Sequence, residues 1–250
     1  MIDSVKKAFT LGKKALKLFY VLACFNIMAN LVNVMIIPAP VDAEMSLGRS
    51  MLVIIVTLLI AVAAVFITGG SIAYVRELVK TGATELTTFL ENAKRYFLPL
   101  LAVSLIIIVL FLLIGIIFSV ITGVMAGVLK AIVLLLMILA FIVLSVLFIM
   151  APYMLIGRDV GVMDAIKGSL LFAKDNFLKI LGIMAIMLGI ALVVMIVASF
   201  FTGVLSFILK PLSRVITSIV MALVNAAMAI LVNIAYMDFF LKNAEIESKK

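Results

Sequence analysis

Residues 51 to 67 read MLVIIVTLLIAVAAVFI, an apolar run relieved only by Thr57 and carrying no charge. A membrane β-strand with a wet lumen would alternate apolar and polar letters over about ten residues, and no such alternation is present. A helix satisfies its own backbone hydrogen bonds, which hydrocarbon demands of any open structure crossing it. The stretch therefore reads as a membrane helix.

The same reading extends along the chain. Asp, Glu, Lys and Arg are absent from 18 to 41, 50 to 75, 96 to 129, 131 to 157, 180 to 209 and 215 to 237. Each run exceeds the roughly 20 residues that cross a hydrocarbon layer about 30 Å thick. With 67% hydrophobic and 13% charged residues, against a usual balance of about half and a quarter, a water-soluble fold could not hide this surface. The expected fold class is all-α, a polytopic membrane protein of six helices. The first run is too long for the apolar core of a secretory signal, typically 7–15 residues, and is read as the first span.

Prolines fall where helix ends are wanted. Pro38 and Pro40 close the first span, Pro99 suits the first turn of the third, Pro211 opens the sixth, and Pro152 lies near enough to a span interior to kink it. The run from 96 to 129 would make a helix of about 50 Å at 1.5 Å per residue, too long to cross upright. Its end, TGVMAGVLK, is therefore read as a turn into the fourth helix.

Charge sets the orientation. Sixteen of the 20 Lys and Arg residues lie before the first span, between the second and third, between the fourth and fifth, and after the sixth; the other connections hold Arg49, Lys130, Lys210 and Arg214. Short cytoplasmic loops retain positive residues, so both termini are expected in the cytoplasm and the chain in the cell membrane. This accounts for the net charge of +8 without a nucleic-acid partner. The basic face also implies attraction to anionic lipid headgroups, about 1 kcal/mol per nearby cation.

Two phrases recur: NAKRYFLPLL at 92–101 and FAKDNFLKIL at 172–181. Leu86, Phe89, Leu90, Ala93 and Phe97 share a stripe at helical spacing, as do Ile166, Leu170, Ala173 and Phe177; a fainter copy surrounds Phe9, Leu16, Lys17 and Tyr20. Each reads as an amphipathic segment lying along the interface before a span. Tyr74, Tyr153 and Tyr236 stand near the ends of the second, fourth and sixth helices, 57, 59 and 62 residues after Lys17, Lys94 and Lys174. The six helices are thus expected as three parallel-repeat hairpins in one membrane domain over 1–250, with units near 1–78, 79–159 and 160–243 and a polar tail at 244–250. The three tyrosines and three lysines are expected as interfacial anchors.

At AYVRELVKTG, and at DVGVMDAIKGSLLFAKDNFLKILG with Ala165, Ile166, Ser169, Lys174, Phe177, Leu181 and Gly182, the chain resembles a prokaryotic group of six-helix membrane proteins. That group is named after the membrane domain preceding the catalytic part of some glycerophosphodiester phosphodiesterases. A weaker echo stands at Ala93, Lys94 and Phe97. The resemblance implies the six-helix fold; the fused catalytic domain is absent from these 250 residues, and no phosphodiesterase activity is implied.

The chain has no His, which removes imidazole catalysis and the commonest transition-metal ligand. Its one cysteine, Cys24, lies within a span and reads as a packing residue. No phosphate loop, serine elbow or paired metal-ligand spacing occurs, so no enzyme, metal or cofactor is expected. Cytoplasmic carboxylates (Glu77, Glu85, Glu91, Asp159, Asp164, Asp175) sit among basic residues as a solvated face.

Inside the spans the notable polar groups are amides. Asn26, Asn30 and Asn33 share a face of the first helix, with Asn225 and Asn233 on the sixth. One reading is helix-to-helix glue; the sharper one is a polar path or a headgroup pocket. The function expected is a non-catalytic membrane scaffold or accessory subunit contacting lipids, a protein partner or a second copy. The alternative is a transporter or channel for a small or lipidic solute.

Overall fold

A computed structural model describes residues 1–36, 46–208 and 212–247, with side chains through residue 244. Pro38, Pro40, Lys210, Pro211 and positions 248–250 of the tail lie outside the described residues. Eight helical segments are present among the described residues: α1 (Ile2–Gly12), α2 (Leu16–Ile36), α3 (Leu47–Thr81), α4 (Leu86–Gly123), α5 (Gly127–Phe148), α6 (Ala151–Arg158), α7 (Val162–Ile208) and α8 (Ser213–Glu247). Six rods, with α5 and α6 counted as one, are long and apolar enough to cross a membrane.

Local chemistry sets several boundaries. The Ser46 side chain accepts from the Arg49 backbone N–H and caps α3, satisfying one of the donors a helix start leaves unpaired. At the other end Gly82 turns left-handed at φ 77° and its N–H returns to the Leu78 carbonyl, the αL cap that a residue without Cβ adopts at least cost. The turn at Val124–Ala126 separates α4 from α5 as the sequence implies. Helix α5 breaks at Ile149–Met150 immediately ahead of Pro152, where the ring can begin a helix but not continue one.

Two expectations about the long helices are corrected. Pro99 does not open the third span; it lies inside α4, which runs unbroken from Leu86. The amphipathic stretch and the span have fused, because residues 86–103 keep one buried stripe across the proline. That stripe is Phe89, Ala93, Tyr96, Leu100 and Val103, so Tyr96 takes the inward place expected of Phe97, while Leu86 and Leu90 are exposed. In α7 the corresponding stretch likewise continues into the span, with a kink at Asn176 (φ −122°, ψ 20°).

Packing crosses the boundaries of the expected hairpins. The main partner of α3 is α4, and that of α2 is α8, with little contact between α2 and α3. Helices α4, α5, α7 and α8 then follow one another around the bundle, and α3 also touches α8. N- and C-terminal helices meet, since α1 lies against α8 with Val5, Ala8 and Leu11 turned inward.

The core is one-ended. Its large buried side chains, among them Leu18, Tyr74, Leu100, Leu155, Phe172 and Phe240, belong to the halves of the helices nearest the chain termini. Away from that end α3, α4, α5 and α7 expose large apolar residues, such as Ile54, Leu58, Leu112, Val128 and Phe207. Among the described residues, the buried positions in this distal half are few and small, such as Ala198 and Ala222.

Candidate functional site

Charged residues collect at the packed end. Asp238 on α8 is 1% exposed and lies 2.7 Å from both Lys7 of α1 and Lys242 one turn on. Burying a carboxylate alone is costly, and two ammonium groups make the position tenable. This ion triad fastens α1 to α8. A second clasp joins α4 to the end of α6: Arg95 pairs with Asp159, and the Tyr96 hydroxyl donates to Asp159 Oδ1 at 2.8 Å. Between α3 and α4 lies a recess of about 320 Å³ lined by Arg76, Glu77, Lys80, Thr81, Thr88 and Asn92.

Lys17, Lys94 and Lys174 are exposed, as a boundary role requires. The tyrosines depart from expectation. Tyr74, Tyr153 and Tyr236 are 1%, 5% and 2% exposed, whereas an anchor at headgroup level keeps its hydroxyl in water. The Tyr153 hydroxyl instead donates to Asn233 Oδ1 at 2.8 Å, and its ring meets that of Tyr236 at 5.7 Å. These side chains organise the protein interior, because the rods converge there and leave no boundary for them to face.

Beside that pair opens a cavity of about 410 Å³, lined by residues that include Thr68, Phe111, Ser145, Phe148, Tyr153 and Asn233. Ile107 and Phe111 also line a second space, of about 680 Å³, that continues past Gly115, Ser119 and Phe141. Sharing Ile107 and Phe111, the two spaces adjoin as a groove along α4 and α5, with a polar head at Thr68, Ser145, Tyr153 and Asn233 and a tail that is apolar except for Ser119. Ile108, Leu112 and Ile116 are exposed along it, so it opens laterally.

The five intramembrane asparagines do not converge. Asn30 donates to the Ser218 carbonyl of α8 at 3.1 Å, a helix-to-helix contact. Asn26 and Asn33 are half-buried on α2, and Asn225 is exposed. Asn233 alone lines the groove. The signal for Asp238 in the sequence is its place at the end of a charge-free run and four residues before Lys242, and Asp238 is not included among the expected site residues. Nothing in the sequence linked Tyr96 to Asp159.

The fold is that of a helical, multi-pass membrane protein, and no metal-binding cluster occurs among the described residues. Residues 15–241 match a family described as a domain of unknown function (DUF7847), and the chain belongs to that family. No curated protein and no solved structure matches. The match carries no link to the phosphodiesterase-associated group, whose likeness stays one of motif.

Proposed function

We propose that the protein is a non-catalytic scaffold or accessory subunit of the cell membrane, both termini in the cytoplasm, that contacts lipids and a protein partner or a second copy. The observation carrying this reading is the one-ended packing. The half nearest the termini is closed by buried Tyr, Phe, Leu and Ala side chains, while the distal halves of α3, α4, α5 and α7 offer long apolar faces. Between helices, lipid tails are as apolar as leucine, so such faces take lipid or another helix equally readily. The basic residues at the packed end, with the recess holding Arg76 and Lys80, suit anionic headgroups.

The alternative, a carrier for a lipidic solute, draws on the lateral groove at Tyr153 and Asn233. Purification in mild detergent followed by cross-linking separates the two. A scaffold brings a partner, or a second copy, at fixed stoichiometry with cross-links on the distal halves. A lone chain that moves solute across proteoliposomes would sink the scaffold reading.

A further inference from the structure

The groove between α4 and α5 has a chemistry narrower than its shape. No acidic or basic side chain lines either of its two spaces, so a phosphate or ammonium head placed there would lose its hydration with no counter-charge nearby, a heavy penalty. The polar groups at its head are partly committed. Thr68 donates to the Ala64 carbonyl at 2.7 Å, Ser145 to the Phe141 carbonyl at 2.8 Å, and Tyr153 to Asn233 Oδ1.

What remains is one donor and a few acceptors. The Asn233 amide nitrogen, whose orientation follows from the bond its oxygen accepts, has no partner among the described residues. The hydroxyl oxygens of Thr68 and Ser145 keep accepting capacity. Pro152, in the same lining, has no N–H to offer the Phe148 carbonyl four residues back. A group that accepts from Asn233 and donates to one of these oxygens completes the set, and an alcohol does both. Asn233 lies five residues before Asp238 on α8, about 7.5 Å along the helix from that charged position. An uncharged head therefore sits just inside the charged boundary, with its chain pointing deeper along Phe111, Gly115 and Phe141.

We infer that the α4–α5 groove is a binding site for an uncharged long-chain lipid with a hydroxyl head, of the diacylglycerol class, whose hydroxyl engages Asn233 and whose acyl chain fills the tail beyond Phe111. Each of the two spaces, about 410 and about 680 Å³, falls at the scale of small-molecule sites, about 300–1,000 Å³. The inference rests only on the lipid-contacting part of the function proposed above and names the lipid.

The test uses the full chain in phosphatidylcholine vesicles with two photoactivatable probes, a diacylglycerol and a phosphatidylcholine, each carrying a diazirine in one acyl chain. The diacylglycerol probe is expected to label residues 107–119 and Phe141 at least about fivefold more than the phosphatidylcholine probe, the value of one net hydrogen bond. Excess unlabelled diacylglycerol should remove that label. Asn233→Leu should lower it by about the same factor. Gly115→Leu should block the tail: a Cβ at Gly115 meets only Phe141 at 3.8 Å, and the rest of the side chain enters the groove. Equal labelling by the two probes, or labelling that excess diacylglycerol leaves in place, overturns the site; both readings come from the unmutated protein. A chain that purifies alone yet shows competed labelling refutes the scaffold and leaves the site standing.

Discussion

Gly69 and Gly70 are adjacent buried glycines of α3, and the structure assigns them opposite responses to alanine. A Cβ at Gly69 would meet Leu100 Cδ2 at 3.6 Å and Tyr96 Cβ at 3.7 Å, ordinary contacts. A Cβ at Gly70 would lie 2.7–2.9 Å from three ring carbons of Phe89, itself 3% exposed. Both substitutions gain about 0.8–1 kcal/mol of helix propensity, so the difference between them isolates the clash. Forcing a methyl into a closed site costs about 1–3 kcal/mol. Gly69→Ala is therefore expected to be neutral or stabilising, and Gly70→Ala to fall below it by about 2 kcal/mol. At this chain length that corresponds to roughly 4–8 °C between the melting temperatures, measured by thermal unfolding in one detergent. Gly70→Ala combined with Phe89→Leu should recover at least half the gap, because the smaller side chain removes the ring. Equal shifts for the two alanines, or no recovery in the double variant, would refute the close α3–α4 packing at Phe89.

Three further outcomes follow from single contacts. Tyr153→Phe should lower stability by about 0.6–1.7 kcal/mol, the range for hydrogen bonds between membrane helices, seen as a lower midpoint in the same unfolding assay; an unchanged midpoint would deny the bond to Asn233. Asn30→Leu should cost a similar amount through its lost bond to Ser218, while Asn26→Leu stays within about 0.5 kcal/mol; a common polar face would make the two costs equal. Asp238→Ala should release α1, costing about 1–2 kcal/mol since its lysine partners are partly solvated, and hydrogen exchange over residues 2–12 should quicken. Exchange there no faster than in the parent would discount the ion triad as a fastening.

Legibility followed the physics of each feature. The six rods were readable from charge-free runs, because the cost of placing a charge in hydrocarbon acts residue by residue. So were the turn after Gly123 and the break ahead of Pro152, since glycine and proline act on their own backbone. The groove was not readable. It needs Phe111 from α4, Ser145 from α5 and Asn233 from α8 at one place, and no local signal links them. Of the five asparagines, only tertiary placement separates Asn233, which lines the cavity and accepts from Tyr153, from Asn30, which donates to the Ser218 carbonyl.

From the sequence alone it follows that this chain is built of apolar helices, that a turn parts the third from the fourth and a break falls near Pro152, and that its basic residues gather at alternate connections. Partition between water and lipid is decided by each segment's own composition. Tertiary structure alone decided that α2 packs on α8 rather than α3, that Tyr74, Tyr153 and Tyr236 are buried within the protein, and that the core closes at one end only. A hydrophobic side chain is equally content against lipid or against another helix. What chooses between them is the shape fit of residues far apart in the chain, such as the close approach of the Phe89 ring to Gly70.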